Sequence, residues 1–124
     1  MRTIETGKGP PLDDSRVAAA LSDAYGRRIL SCCIRKAQSV REIEGATGLP
    51  QATVYRHVSR LLEEGLLAVE RSALTPDGKR YELYRSRLRN ARIEMDADGV
   101  RMAWEPIEEV EQRLARIWTS LRGG

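Results

Sequence analysis

Residues 39–67 constrain the fold most, because they contain two short helical patterns separated by a tight Gly-Leu-Pro turn. Ser39 is followed three residues later by Glu42, a pairing in which each side chain satisfies a free backbone N–H of the first helical turn. Gly48 tolerates a left-handed conformation, and Pro50 disfavours a helical conformation in the residue before it. The pattern therefore predicts a helix that begins after Ser39 and ends at this turn.

Both helices of this stretch are predicted to bury one apolar stripe. In the first helix the stripe consists of Val40, Ile43 and Ala46. The second helix can begin at Gln51, and its apolar residues recur at intervals of four and three: Val54, Val58 and Leu61. Five other side chains are left off that stripe: Thr53, Tyr55, Arg56, Ser59 and Arg60. Two such helices joined by a short turn predict a helix-turn-helix.

Two further helices are predicted before this pair. A helix over residues 13–25 would turn four residues inward: Val17, Ala20, Leu21 and Ala24. A helix over residues 26–38 would bury five: Ile29, Leu30, Cys33, Ile34 and Ala37. Residues 1–12 lack periodicity and are rich in Gly and Pro, so we expect a flexible tail.

Beyond Gly65 the pattern changes from helical to alternating. Residues 67–71 and 81–85 predict two antiparallel strands around a type I turn at residues 75–78, a hairpin that would form the wing of a winged helix. Residues 91–96 and 100–104 predict a second hairpin, and residues 106–122 a final helix. The predicted fold class is α+β, mainly α. A DNA-binding domain would span residues 13–90, and residues 91–124 would form a dimerisation element.

Charge is distributed unevenly along the chain. The net charge of +3 combines about +1 over residues 1–70, +5 over residues 71–92 and −3 over residues 93–124. A polyanion would therefore be attracted to the middle of the chain and repelled by its end. This distribution favours nucleic acid as the partner.

Several other function classes are not supported by the sequence. No apolar run approaches the length of a membrane span and no signal-peptide pattern is present, so we expect a cytoplasmic protein without membrane contact. His57 is the only histidine and no nucleophile elbow is present, so we expect no enzyme. No metal or cofactor motif is recognised either.

Two motifs in this order resemble the ArsR-type winged-helix transcriptional regulators. Residues 20–30, ALSDAYGRRIL, look like the opening helix pair of that family, and residues 54–58, VYRHV, followed by Leu61, Gly65 and Leu66, look like its recognition helix and exit. The resemblance covers residues 13–85, and archaeal winged-helix regulators are the nearest general comparison. The family's metal-sensing cysteine motif falls on residues 40–46, which contain no cysteine. The resemblance therefore implies a transcriptional regulator without metal sensing.

The second helix of the pair is predicted to read DNA in the major groove. The expected contacts to bases or nearby phosphates come from Gln51, Thr53, Tyr55, Arg56, Ser59 and Arg60. Lys79 and Arg80, after the wing turn, are predicted to contact phosphates. The alternative is a winged helix used for protein contacts, with its polar face simply solvated.

Two clusters have open interpretations. Arg85, Arg87 and Arg89, with Arg92, would either extend the phosphate track or pair with the acidic last helix. Cys32 and Cys33 would form either a redox or metal sensor or, as we favour, a buried Cys33 beside a Cys32 that points away from the apolar stripe.

The last helix has an apolar seam at alternating intervals of three and four residues. It predicts dimerisation through Ile107, Val110, Leu114, Ile117, Trp118 and Leu121. The alternative is that this helix packs onto its own chain. Together these patterns predict a homodimeric repressor that binds double-stranded DNA. A protein-interaction module within a larger assembly is the alternative function.

Overall fold

The computed structural model describes residues 12–123, apart from the side chains of residues 118 and 120–123. Five helices and two hairpins lie in this part of the chain. They are α1 (Asp14–Leu21), α2 (Ala24–Cys32), α3 (Val40–Thr47), α4 (Gln51–Glu63), β1 (Leu67–Leu74), β2 (Arg80–Ser86), β3 (Leu88–Asp96), β4 (Gly99–Pro106) and α5 (Glu108–Gly123). This α+β winged helix-turn-helix confirms the predicted fold class.

Helices α1 and α2 are separated by a break at Ser22 and Asp23, three residues before the predicted one. Asp23 is the reason, because its carboxylate accepts the backbone N–H of Tyr25 at 3.0 Å and so caps a new helix. The predicted end of α2 at Gln38 is also wrong. Gln38 exchanges two backbone hydrogen bonds of 2.8 Å with Tyr84 of β2, and an extended residue cannot continue the helix.

The turn between α3 and α4 forms as predicted. Ser39 and Glu42 complete a reciprocal capping box, and Gly48 ends α3 with a φ of 74°. The buried stripe of α3 differs in one residue, because Thr47 is buried and the predicted Ala46 is exposed. The Thr47 hydroxyl explains the exchange, since it donates to the Ile43 carbonyl at 2.7 Å and can be buried without losing a hydrogen bond.

The wing is an antiparallel hairpin of β1 and β2. Its turn closes as predicted, with the N–H of Gly78 donating to the carbonyl of Thr75 at 2.9 Å. The register shifts between Val69 and Arg71, which leaves Glu70 as a bulge. The bulge makes the Glu70 carbonyl available, and Arg113 of α5 donates to it at 2.9 Å.

The second hairpin, β3 and β4, is longer at its base than predicted. Strand β3 begins at Leu88, with only Arg87 between it and the wing, so the predicted boundary between residues 90 and 91 falls inside a strand. Pro106 is the last residue of β4, and α5 begins two residues after it. The carbonyl of Ile107 accepts the first bonds of that helix, from the N–H groups of Val110 and Glu111.

The main core lies between the helices and the bases of the two hairpins. Its fully buried members include Leu12, which the sequence placed in the tail, whereas residues 1–11 lie outside the described part of the chain. A smaller cluster joins Ala68 of β1 to Ile107 and Val110 at the start of α5. Helix α5 is therefore anchored to its own wing. Among residues 12–123, no helix has the length and apolar content needed to cross a membrane.

Candidate nucleic-acid interface

Helix α4 has one buried side and one exposed side. The buried side chains are Val54, His57, Val58 and Leu61. Because successive residues are separated by about 100° around a helix, the exposed ridge runs through Ala52, Arg56 and Ser59. Tyr55, which is 51% exposed, lies on one flank of this ridge.

Five of the six predicted readout residues are exposed on α4, namely Gln51, Tyr55, Arg56, Ser59 and Arg60. Thr53 is half-buried. Arg56 has no ion-pair partner among residues 12–123, so its guanidinium is available to a ligand. These residues lie near the N-terminal half of the helix, the part that meets base edges in helix-turn-helix complexes.

Arg60 is placed differently, because its guanidinium pairs with the carboxylate of Asp23 at the start of α2. The same carboxylate lies 3.1 Å from His57 Nδ1, and the ring of His57 meets that of Tyr25 edge-on with centroids 5.4 Å apart. The hydrogen bond from Arg60 holds the pKa of Asp23 below its ordinary value, assisted by the N–H of Tyr25 and by His57 and opposed by partial burial. Arg60 therefore ties α4 to α2 here, and its contact with DNA stays a prediction.

The N-terminus of α4 has no side-chain cap. Its N-cap residue is Pro50, which makes no side-chain hydrogen bond to the first turn. The backbone N–H groups of Gln51, Ala52 and Thr53 are therefore available to an acceptor outside the helix. Helix N-termini of this kind also carry a partial positive charge, which favours a phosphate.

Ala52, which is not among the predicted readout residues, lies on the exposed ridge beside Arg56. A methyl group at this position is suited to contact with the methyl group of thymine. The signal was present in the sequence, since Ala52, Arg56 and Ser59 repeat the four-and-three spacing of the buried stripe on the opposite side.

The wing presents its cations unequally. Lys79 is exposed and has no ion-pair partner in the described part of the chain. Arg80 is 72% exposed but already lies 3.3 Å from a Glu82 carboxylate oxygen and donates to Ser72 Oγ at 3.1 Å. Arg71, on β1, is exposed and likewise without an ion pair within residues 12–123. Lys79 and Arg71 are therefore the cations that a phosphate can engage without displacing a carboxylate.

The open question about the arginine cluster is answered by its partners. Arg87 is 1% exposed and forms a two-pronged ion pair with Glu111 of α5, at 2.9 and 2.8 Å. Arg89 lies 3.6 Å from Glu109 of the same helix. Arg85 pairs with Glu70 at 3.0 Å and donates to the Ile34 carbonyl at 2.9 Å, within its own chain. Pairing with the last helix is thus the observed arrangement for Arg87 and Arg89.

The predicted dimerisation residues divide along α5. Ile107 and Val110 are 1% and 4% exposed and pack within their own chain against Ala68. Leu114 is half-buried beside them, whereas Ile117 is 49% exposed. The side chains of Trp118 and Leu121 lie outside the described residues. The first turn of α5 is therefore used to hold the helix on the wing.

The two cysteines differ in environment. Cys33 is fully buried in the core, and its contact with Cys32 together with burial raises the pKa of its thiol. Cys32 is half-buried at the end of α2, donates to the Ile29 carbonyl and has a lowered thiol pKa because of the contact with Cys33. Within residues 12–123, no group of three His, Cys, Asp or Glu side chains is arranged to hold a metal ion.

Comparison with known proteins agrees with this geometry. Residues 28–71 match the model of the IclR helix-turn-helix domain, a stretch that begins in α2, contains both α3 and α4 and ends in β1. No curated protein matches the chain. The match supports a helix-turn-helix transcriptional regulator whose partner is double-stranded DNA, and not the ArsR-type assignment specifically.

Proposed function

We propose that the protein is a homodimeric repressor that recognises a specific double-stranded DNA sequence through α4. The observation that carries this proposal is the division of α4 into a side buried in the core and an exposed ridge around Arg56. A helix packed in this way is rigid enough to position side chains in the major groove. The unpaired Lys79 on the adjoining wing supplies the phosphate contact that such a helix needs.

Sequence preference and affinity are proposed to reside in different elements. On α4, Arg56 is suited to the two acceptors of guanine and Gln51 to adenine, while Ala52 is suited to the thymine methyl group. On the wing, Lys79 would contact phosphates, which are present in every sequence. Removing a base contact should therefore change which duplex is preferred, whereas removing a phosphate contact should weaken all duplexes alike.

The experiment begins with selection of a binding duplex from a random library, followed by titrations against the selected and a scrambled duplex at several salt concentrations. Arg56→Ala should cost about 1–3 kcal/mol on the selected duplex and little on the scrambled one. Lys79→Ala should weaken both and reduce the salt slope by about 1. Lys36→Ala is the matched control, because Lys36 is an exposed lysine on the α2–α3 connection, outside α4 and the wing.

A salt-independent affinity would contradict DNA binding, since phosphate contacts release counterions. Equal losses on both duplexes for Arg56→Ala would contradict base readout by α4. A Lys36→Ala variant as weak as Lys79→Ala would contradict the role of the wing. The same salt-independent affinity would favour the alternative function, a protein-interaction module.

The homodimer is proposed because two recognition helices about 34 Å apart would read the two halves of a palindrome. The second half of α5, with Ile117 exposed, is a candidate for part of the contact. Ile117→Lys should weaken the dimer in sedimentation experiments, while Gln112→Lys, at an exposed polar position of the same helix, should not. If both variants and the unmodified chain dimerise with the same affinity, then α5 is not part of the interface.

Repression is proposed from the ArsR-type resemblance, which is itself part of the proposal and rests on the motifs at residues 20–30 and 54–58. A dimer bound across a promoter would block polymerase, and the protein would act in the cytoplasm. A promoter carrying the selected duplex should lose transcription in vitro when the protein is added. Increased transcription would indicate an activator.

A further inference from the structure

The hairpin of β3 and β4 has one apolar face. Its register pairs Met95 with Val100 and Ile93 with Met102, so the alternating side chains on that face are Ala91, Ile93, Met95, Val100, Met102 and Trp104. At the base, Trp104 packs on the core and donates from Nε1 to Asp14 at 2.8 Å. At the tip, Met95 is 80% exposed and Val100 is 65% exposed. The same face is thus covered at one end and exposed at the other.

An isolated two-stranded hairpin is marginally stable in water, and exposed apolar residues that lie together mark contact surfaces. Within the described residues, neither β3 nor β4 pairs with a third strand. The tip of the hairpin therefore has both an uncovered apolar face and unpaired strand edges. An added strand would satisfy both.

The outward backbone groups of β3 follow from its turn. Asp96 and Gly99 pair across a two-residue turn, so they exchange backbone bonds with each other. In an antiparallel pair such residues alternate with residues whose N–H and C=O point outward. The outward groups of β3 therefore belong to Ala91, Ile93 and Met95, the residues whose side chains form the apolar face.

The charges of β3 are self-complementary about Ile93. If β3 pairs antiparallel with its own copy about a two-fold axis at Ile93, then Arg92 lies opposite Glu94 of the partner subunit, and Glu94 lies opposite Arg92 of the partner subunit. Ala91 then lies opposite Met95 of the partner subunit, so the apolar faces become continuous. Arg92 has no ion pair within residues 12–123, and Glu94 lies 3.8 Å from Arg101. Arg92 is thus available for a cross-strand pair, and Glu94 would exchange its contact with Arg101 for one with Arg92 of the partner subunit.

Both charged side chains of β4 have partners on β3, whereas Arg92 of β3 has no ion pair within residues 12–123. Arg101 pairs with Asp96 at 2.6 Å, and Glu105 accepts from Asn90 at 2.8 Å. Trp104 is also held against α1 through Asp14. The charges therefore favour β3 as the edge that a second copy would use.

We propose that the edge of β3 around Ile93 is the contact between two copies of this chain, joining two hairpins into one four-stranded sheet. This inference rests on the proposed homodimeric function and assigns its interface. It places a main contact on the second hairpin, away from the helix that the sequence had suggested.

Charge reversal tests the register. Arg92→Glu places two glutamates opposite each other at both symmetry-related positions, and Glu94→Arg does the same with arginines. Each variant should raise the dimer dissociation constant by about tenfold in analytical ultracentrifugation. The double variant Arg92→Glu/Glu94→Arg should dimerise like the unmodified chain, and an equimolar mixture of the two single variants should form heterodimers.

The matched control is Glu105→Arg, an exposed charge reversal on β4, which should leave dimerisation unchanged. Circular dichroism and urea midpoints verify that all variants fold. Any of four results would overturn the proposal. Both single variants could dimerise with unchanged affinity, or the double variant could fail to regain dimerisation. The Glu105→Arg variant could dissociate, or the unmodified chain could be monomeric.

DNA affinity is measured separately from dimerisation, with a half-site duplex that the α4 helix of one subunit can occupy. Single variants should bind the half-site like the unmodified chain and lose affinity for the full palindrome. If the unmodified chain does not bind the half-site, the proposed function is refuted, whereas the result on dimerisation still stands. Full-palindrome affinity that is unchanged in both single variants would overturn the β3 contact alone.

Discussion

The ion pair between Arg87 and Glu111 predicts a large and specific stability effect. The two side chains are 1% and 2% exposed, and two hydrogen bonds of 2.9 and 2.8 Å join them. Arg87 also donates to the Gly65 carbonyl at 3.0 Å, two residues after the end of α4. The pair therefore joins three parts of the chain: the exit of α4, the link between the hairpins and α5.

Glu111→Ala should lower the free energy of unfolding by about 3–5 kcal/mol, because the guanidinium of Arg87 stays buried without its counter-charge. Replacing both partners by apolar residues, Arg87→Met/Glu111→Leu, should be much less harmful than Glu111→Ala alone, since no charge is then left in the interior. The double-mutant cycle, completed by the single variants Arg87→Met and Glu111→Leu, should give a strongly favourable coupling energy.

Urea unfolding at pH 7, followed by circular dichroism at one protein concentration, measures these values. Glu109→Ala is the matched control, because Glu109 is 74% exposed and lies 3.6 Å from Arg89. That variant should change stability by about 0–1 kcal/mol. A Glu111→Ala cost below about 1 kcal/mol, or a double variant as unstable as Glu111→Ala, would refute the reasoning about buried charge.

Three other perturbations follow from local geometry. Because the folded-state pKa of Asp23 is lowered by its hydrogen bond with Arg60, its stabilisation is complete above about pH 4–5 and is lost as the pH falls through the lowered pKa. The difference in free energy of unfolding between Asp23→Asn and the unmodified chain should therefore be largest near neutral pH and shrink in acid. A difference that stays constant when urea unfolding is measured from neutral to acid pH would contradict this. Gly48→Ala should destabilise the protein by about 1 kcal/mol because Gly48 has a φ of 74°. Gly45→Ala in α3, where an added Cβ also meets open space, should stabilise it by about 0.5–1 kcal/mol. Equal effects of the two variants in thermal unfolding would argue against backbone strain at Gly48. Mild oxidation should leave the DNA affinity of both the unmodified chain and Cys32→Ser unchanged. If oxidation weakens DNA binding by the unmodified chain but not by Cys32→Ser, then Cys32 is a sensor.

The sequence predicted the helix-turn-helix well because its signals are local. The capping box at Ser39, the left-handed Gly48 and the stripe on α4 each depend on residues within about one or two turns. The division of α1 from α2 was misplaced for a related reason. Apolar spacing continues across Ser22 and Asp23, so only the capping ability of Asp23 marks the break.

The partners of the charged residues could not be predicted in the same way. Arg87 and Glu111 are 24 residues apart in sequence, and their contact depends on how α5 returns to the wing. Arg60 was assigned to DNA because it lies off the buried stripe, yet its partner Asp23 is on another helix. Charge patterns along the chain indicate a tendency to bind anions, whereas tertiary packing decides which cations stay available.

Three polar contacts that hold α4 come from residues outside residues 28–71, the segment that matches the family model. Asp23 of the α2 N-cap holds Arg60 and His57, Arg16 of α1 donates to the Glu64 carbonyl at the end of α4 at 2.9 Å, and Arg87 holds the Gly65 carbonyl. Base contacts need a helix fixed in position, so the proposed readout would depend on these three contacts as well as on the exposed ridge of α4. A domain limited to residues 28–71 would keep the side chains proposed to read DNA and would lose these three contacts.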